Sequence, residues 1–365
     1  MPARSSWVVA AIGGLLLAGT GRAQTTAVVG PGGRPFTLER LDGGDPFAAA
    51  AAVDGDAANG SPSVWDVHVG FSYLRPEWAN RGLSLRTVAP GNPSIAAVRP
   101  FGDLSNSFGF VPRIDLQYNS AELGFGMATS AQFLNVGGNL ERTVALGGAA
   151  PTAADLIASY NLSILIVDIA RITKTVRLGD VASHPLVERL GRADDTFAFS
   201  VGTRYGALRQ TWNASLRGGP TFASADANQT FSGLGLTTGL ATDHPWAEQW
   251  GFYTNNRLSL LVGPNNRKSV ASGTDAGGPF NNSLVENKTI LLPALEFETG
   301  IRYMAPLDSK KFQANGTGPL LSARVGFVGQ LWGNSGFLPA AGADARFTNR
   351  PLYLIGVTVL AGIEY

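Results

Sequence analysis

The sequence predicts an all-β fold, a transmembrane antiparallel up-and-down β-barrel of about 10–12 strands. Three observations predict it. The chain opens on a short export-type leader, it carries segments of about 10 to 15 residues that alternate apolar and polar positions, and it ends on an aromatic residue, Tyr365, at the close of such a segment. Period-2 alternation belongs to strands and not to helices. A tilted strand of about 10 residues is long enough to cross the hydrocarbon layer.

The leader sets the compartment. Arg4 supplies a positive start, Trp7 to Gly19 is an apolar run too short to span a bilayer as a helix, and Gly21-Arg22-Ala23 offers small residues for cleavage after Ala23. No later stretch approaches the ~20 continuous apolar residues of a transmembrane helix. Residues 1–23 therefore read as a signal peptide and 24–62 as a flexible, periplasmic extension rich in Gly, Pro and Ala. Residues 63–365 read as the barrel. The fragment DGDAANG lacks the ligand spacing and the distant Glu of a calcium loop.

Alternation then runs along the chain. Trp65, Val67, Val69, Phe71 and Tyr73 share one face, opposite Asp66, His68 and Ser72. Phe110, Ile114, Leu116 and Tyr118 oppose Arg113, Asp115 and Gln117, and Phe125, Met127 and Phe133 oppose Glu122 and Gln132. Phe197, Phe199, Val201 and Tyr205 oppose Arg204; Leu258, Leu260 and Val262 oppose Asn255 and Arg257; Leu295, Phe297 and Ile301 oppose Glu296, Glu298 and Arg302. Arg324 and Gln330 mark the polar face of LSARVGFVGQLW, and Glu364 that of the closing LYLIGVTVLAGIEY. The stretch SYNLSILIVDIAR is apolar on both faces, and FSGLGLTTGLAT is rich in glycine. The connections Pro76–Ser107, Val136–Ala158, Asn213–Thr230 and Gly263–Lys288 read as long loops, against tight turns at Tyr118–Ala121 and Asp243–Gln249. Outer-membrane barrels alternate short and long connections in this way.

Composition agrees with lipid as the outer solvent. Charged residues make up 15% of the chain, below the roughly 25% usual in soluble domains. A secreted β-sandwich would also alternate, but its strands are shorter and its outer faces more charged. With Lys+Arg 28 against Asp+Glu 27 there is no concentrated basic face for nucleic acid. With no cysteine there is no disulfide and no thiolate site. The histidines are His68, His184 and His244; only His68 falls on a polar strand face. His68, Ser72 and a neighbouring acid could compose a Ser-His-acid set, but no G-x-S-x-G elbow, P-loop or H-E-x-x-H accompanies them. The sequence thus points to no catalytic residue, no cofactor and no metal.

Function is to be sought on the polar face. Its pore-lining candidates are Asp66, Arg113, Asp115, Gln117, Glu122, Arg204, Asn255, Arg257, Glu296, Glu298, Arg302, Arg324, Gln330 and Glu364. These charges must either stay hydrated, in an open channel, or pair with one another, which shuts the lumen. The expected surroundings are outer-membrane lipid. Tyr365 resembles the C-terminal signal by which the barrel-assembly machinery recognises outer-membrane barrels for insertion. The alternating faces show no polar interruption marking a subunit contact, and a homo-oligomer is left open.

One family resemblance bears on the choice. FSGLGLTTGLATDHPWAEQWGFYTNNRLSLLVG resembles the central motif of the Legionella-type major outer-membrane protein-like, pore-forming family, with Phe231, Gly233, Gly235, Gly239, Pro245, Arg257, Ser259 and Gly263 at matching places and Thr237 departing from it. FSVGTRYGALRQTW, SARVGFVGQLW, GVTVLAGIEY and Val167-Asp168-Ile169 look similar to its other strands. The resemblance implies an outer-membrane pore for passive diffusion of small hydrophilic solutes or ions. The alternative is a closed structural or surface-interaction barrel that acts through its long loops.

Overall fold

The computed structural model describes residues 64–78, 85–88, 95–98, 108–120, 124–146, 152–177, 195–218, 221–275, 278–307, 319–339 and 347–364. The expected leader, the extension over 24–62, Glu122, His184 and the terminal Tyr365 lie outside them. Twelve strands are described, of which ten form one closed antiparallel barrel, as the period-2 segments predict.

The barrel strands are β1 (Val64–Trp78), β4 (Gly109–Ser120), β5 (Phe125–Leu146), β6 (Thr152–Arg177), β7 (Thr196–Gly218), β8 (Thr221–Pro245), β9 (Trp250–Asp275), β10 (Gly278–Pro306), β11 (Leu320–Pro339) and β12 (Phe347–Glu364). Each pairs with its neighbour in sequence, and β1 closes the sheet on β12 with Asp66 opposite Glu364. Closure matters in lipid, where an open edge would leave amides with no water to bond. The remaining pair, β2 (Leu85–Val88) and β3 (Ile95–Val98), is a hairpin within the β1–β4 connection. β2 lies close to β8 and β9, on the far side of the barrel from the strands that carry it.

The outward face is apolar over one band. Trp65, Val69, Met127, Phe199, Leu236, Val325 and Phe327 stand more than half exposed. Phe327 reaches 69%, which is stable only where the solvent is lipid. On β10 the band runs from Leu291 to Tyr303; at about 3.4 Å per residue and a tilt near 40° it rises roughly 30 Å, a hydrocarbon thickness. Paired aromatics mark its margin near the barrel's termini. Trp65 sits 4.8 Å from Tyr118 and Trp250 4.8 Å from Tyr303, ring centre to ring centre. Such rings favour the interface because one end is apolar and the other can be wet.

Beyond the band the pattern inverts, and here the sequence reading needs correction. Val136–Ala158, Asn213–Thr230 and Gly263–Lys288 were expected to be long loops; they are mostly continuations of β5–β6, β7–β8 and β9–β10 as paired hairpins. Outward positions there are polar, as in Asn135, Asn139, Glu141, Asp155 and Asn161. Inward positions are apolar, as in Leu156, Leu162, Leu216, Ala223 and Ala225, all of them buried. The ladder persists because each added cross-strand pair satisfies two backbones at little further entropic cost. Gly and Asn, which read as loop formers, sit on the wet outer face.

This inversion yields a prediction. Phe327→Arg, on the lipid face, should lower the unfolding free energy by about 2–4 kcal/mol. Asn139→Lys, on the wet face of the β5 extension, should change it by less than about 0.5 kcal/mol. Urea unfolding of protein refolded into vesicles, followed by tryptophan fluorescence, checks both.

Candidate functional site: a charged belt across the lumen

The sequence-predicted polar face is the lumen face. Among the described candidates, Arg204, Arg257, Glu296, Glu298 and Gln330 are buried, and Asp66, Arg113, Asp115, Gln117, Asn255, Arg302, Arg324 and Glu364 are half-buried. Most of them converge on one belt.

At its centre is Asp168 of β6, which has no exposed side-chain surface. Its carboxylate accepts from Arg204 Nε at 2.5 Å and Nη2 at 3.1 Å, from Arg257 Nη1 at 3.1 Å and from Ser130 Oγ at 2.8 Å, and Arg171 Nε lies 3.2 Å away. Sequence reasoning left out Asp168 and Arg171 from the lumen set. For Asp168 the reason is a segment apolar on both faces, and for Arg171 it is a bulge. The β6–β7 register skips between Asp168 and Ala170, so Ile169 and Ala170 both turn outward and Asp168 and Arg171 both turn inward. Period-2 counting cannot accommodate that. A signal was present, since Asp168 is the only charge in an otherwise apolar segment ending at Arg171.

From Asp168 the pairing spreads across the barrel. Arg204 Nη1 is 3.0 Å from Glu296 Oε1, and Gln132 Nε2 donates to the same oxygen at 3.3 Å from the opposite wall. Arg113 of β4 donates to Glu298 of β10 at 2.6 Å and lies 2.8 Å from Asp115. Tyr253 Oη donates to Glu298 Oε1 at 2.9 Å. Four arginines thus face four carboxylates in one layer, and the charges cancel. The pocket lined by Arg113, Gln132, Arg257, Glu296 and Glu298 admits roughly one water. Burial of this many charges is tolerable because each has a partner.

A second layer lies on the hairpin side of the belt. Trp332 of β11, 1% exposed, reaches across to β7, where a side chain at Gly206 would stand 3.7 Å from its ring. Its indole Nε1 donates to Gln330 Oε1 at 3.3 Å. Just beyond it, Asn334 has φ 56°, in the left-handed region that an Asn tolerates better than most residues. That bend breaks the β11–β12 register between Trp332 and Gly336 and turns the strand inward. Gln210 of β7 donates to Ser335 O at 2.6 Å, and Arg267 of β9 donates to Asn334 O at 3.1 Å. The barrel is therefore bridged twice, by charge and then by an indole and a backbone bulge.

His68 does not meet Ser72, which donates instead to Thr358 at 3.0 Å. His68 Nδ1 faces Asp66 at 2.8 Å, and its Nε2 lies 2.8 Å from Ser322 Oγ. Ser322 is fully buried, and the amides around it are engaged in the ladders to β10 and β12. The order Ser-His-acid is present without access or an oxyanion hole. Arg302 pairs with Asp243, and Asp195 with His244, nearer the termini-bearing end.

The belt's energetics are testable. Asp168→Ala should cost about 3–5 kcal/mol in urea unfolding, because it leaves three guanidiniums without their shared acceptor. Gln117→Ala, on the lumen wall away from Asp168, should cost less than about 0.5 kcal/mol.

Comparisons with known proteins follow the same strands. Residues 190–317, which contain β7 to β10 and hence Arg204, Arg257, Glu296 and Glu298, match the family described as Legionella pneumophila major outer membrane protein precursor. No curated protein matches. Solved structures similar in sheet architecture include a Pseudomonas aeruginosa FadL homologue (9% identity, 83% of this chain and 90% of that one, TM-score 0.24). They also include the P. putida toluene transporter TodX (10%, 86% and 93%, TM-score 0.18) and the Ralstonia pickettii toluene transporter TbuX (10%, 86% and 92%, TM-score 0.16). At such TM-scores the chain paths diverge too far for side chains to be equated. The closed barrel and its lipid-facing band, with the match over residues 190–317 to an outer-membrane protein family, identify this chain as an outer-membrane β-barrel.

Proposed function

We propose that the protein is a gated channel of the outer membrane for small hydrophilic solutes or ions, and not a permanently open diffusion pore. The observation that carries this reading is the belt itself, in which four arginines pair with four carboxylates and Arg113 and Gln132 reach Glu298 and Glu296 from the opposite wall. A purely structural barrel could fill its lumen with apolar side chains at no desolvation cost. Keeping ion pairs there has a use if they can exchange one another for water and a passing solute. The neutral balance of the belt favours no ion sign strongly. The pore-forming character of the resembled family supports a channel.

In the same reading the chain catalyses no reaction and uses no cofactor. It inserts through its last strand, and it meets lipid along the apolar band. The competing reading, a closed structural or surface-interaction barrel, draws on the same cross-lumen pairs and on the hairpins that project beyond the band.

Single-channel recording in planar bilayers separates the two. Wild type should give brief, small steps. Arg257→Ala and Trp332→Ala should each give longer and larger steps, and Arg257→Ala should also shift preference toward cations, because the belt then holds three arginines (4 − 1) against four carboxylates. Silence from all three proteins, with their heat-dependent gel mobility intact, would establish the structural barrel instead.

A further inference from the structure

We infer that the barrel's closing seam holds a binding site for a divalent transition-metal ion, formed by Asp66 and His68 of β1 and Glu364 of β12, with Ser322 of β11 supporting the histidine. One ligand atom from each of Asp66, His68 and Glu364 falls within 4.8 Å of the others. Oxygen and imidazole nitrogen in that ratio suit Zn²⁺, Mn²⁺ or Co²⁺.

Three independent features build the site. First, Asp66 and Glu364 are paired directly opposite one another across the β1–β12 ladder. Like charges in that position repel, and a cation between them would remove the cost. Arg324 reaches the pair only at the edge of ion-pair distance, its Nη2 3.9 Å from Asp66 Oδ2, and its guanidinium lies 5.8 Å from the Tyr253 ring centre. Second, Asp66 Oδ1 lies 2.8 Å from His68 Nδ1, so a carboxylate oxygen and an imidazole nitrogen stand side by side at the seam.

Third, the ring of His68 is fixed from behind. Gly362 is the residue opposite it on β12, and a Cβ there would come within 2.4 Å of His68 Cδ2. The missing side chain lets the imidazole lie across β12 and place Nε2 2.8 Å from Ser322 on the next strand. Metal-bound histidines are held in just this manner, one nitrogen bonded to a neighbour and the other turned to the metal. Around tetrahedral zinc, ligand atoms stand about 3.4 Å apart, so a small side-chain adjustment closes the three donors onto one ion. An ion there would staple the first barrel strand to the last, at the one pairing that local sequence cannot enforce.

The test uses the full-length mature chain refolded in detergent, titrated with Zn²⁺ by calorimetry and with Co²⁺ by visible absorption. The expected result is one ion per chain, together with a rise in the temperature at which gel mobility changes. Affinity should fall at least about tenfold in His68→Gln and Glu364→Gln, and about tenfold in Ser322→Ala, with the thermal shift lost in the first two. Each variant is checked for the folded, heat-modifiable form, and the Co²⁺ spectrum of wild type reports the site without any substitution. Absence of binding by wild type would mean that the cluster is only a hydrogen-bonded lock. Binding of equal strength in His68→Gln and Glu364→Gln would place the ion elsewhere. Either outcome overturns the inference.

Discussion

Everything in this molecule depends on closure of β1 onto β12. In lipid an unpaired strand edge leaves amides and carbonyls with no partner, each a penalty of several kcal/mol. Joining the ten-strand sheet to itself removes both edges at once. Closure also creates an inside, and the inside is where every charge on the band's polar face must go. The pairing of Asp66 with Glu364 at that seam places two carboxylates side by side, an arrangement no local preference would choose.

Once charges are confined to a narrow lumen, they have two choices, hydration or mutual pairing. Pairing prevails here because the barrel is narrow enough for Arg113 to reach Glu298, and Gln132 to reach Glu296, from strands on opposite walls. Asp168 binds the belt together because one carboxylate can accept from several guanidinium groups. The bulge at Ile169–Ala170 is what makes that possible, turning two nearby residues inward where regular alternation would allow one. Trp332 and the Asn334 bend close the next layer by a different means, an indole that reaches across to Gly206 and a backbone turn that Gln210 and Arg267 hold. A gate made of ion pairs and a gate made of an indole would answer to different stimuli, the first to ionic strength and the second to displacement of a single side chain.

The strands outlast the membrane. Inside the band, apolar residues face out and charges face in; beyond it, Asn135 and Asn161 face out while Leu162 and Leu216 face in. One continuous ladder thus serves two solvents, with the burial rule reversed where lipid gives way to water. The hairpin extensions behave as a small water-soluble barrel stacked on a membrane one. Their Gly- and Asn-rich composition imitates loops because polar, small residues suit the outside of a strand in water as well as they suit a turn.

Sequence alone determined the barrel and its two faces within the lipid band. Alternation is local, and a residue's parity tells which way it points without reference to any other strand. Arg204, Arg257, Glu296 and Glu298 were legible for that reason. Tertiary structure decided what those residues do to one another. Arg171 was hidden by a bulge that breaks parity, and Asp168 by a segment that is apolar on both faces. The cross-lumen pairs, the contact of Trp332 with Gly206 and the meeting of Asp66, His68, Ser322 and Glu364 depend on register around the closed sheet. Register is fixed by closure as a whole, so residues almost three hundred positions apart become neighbours, and no window along the chain contains that information.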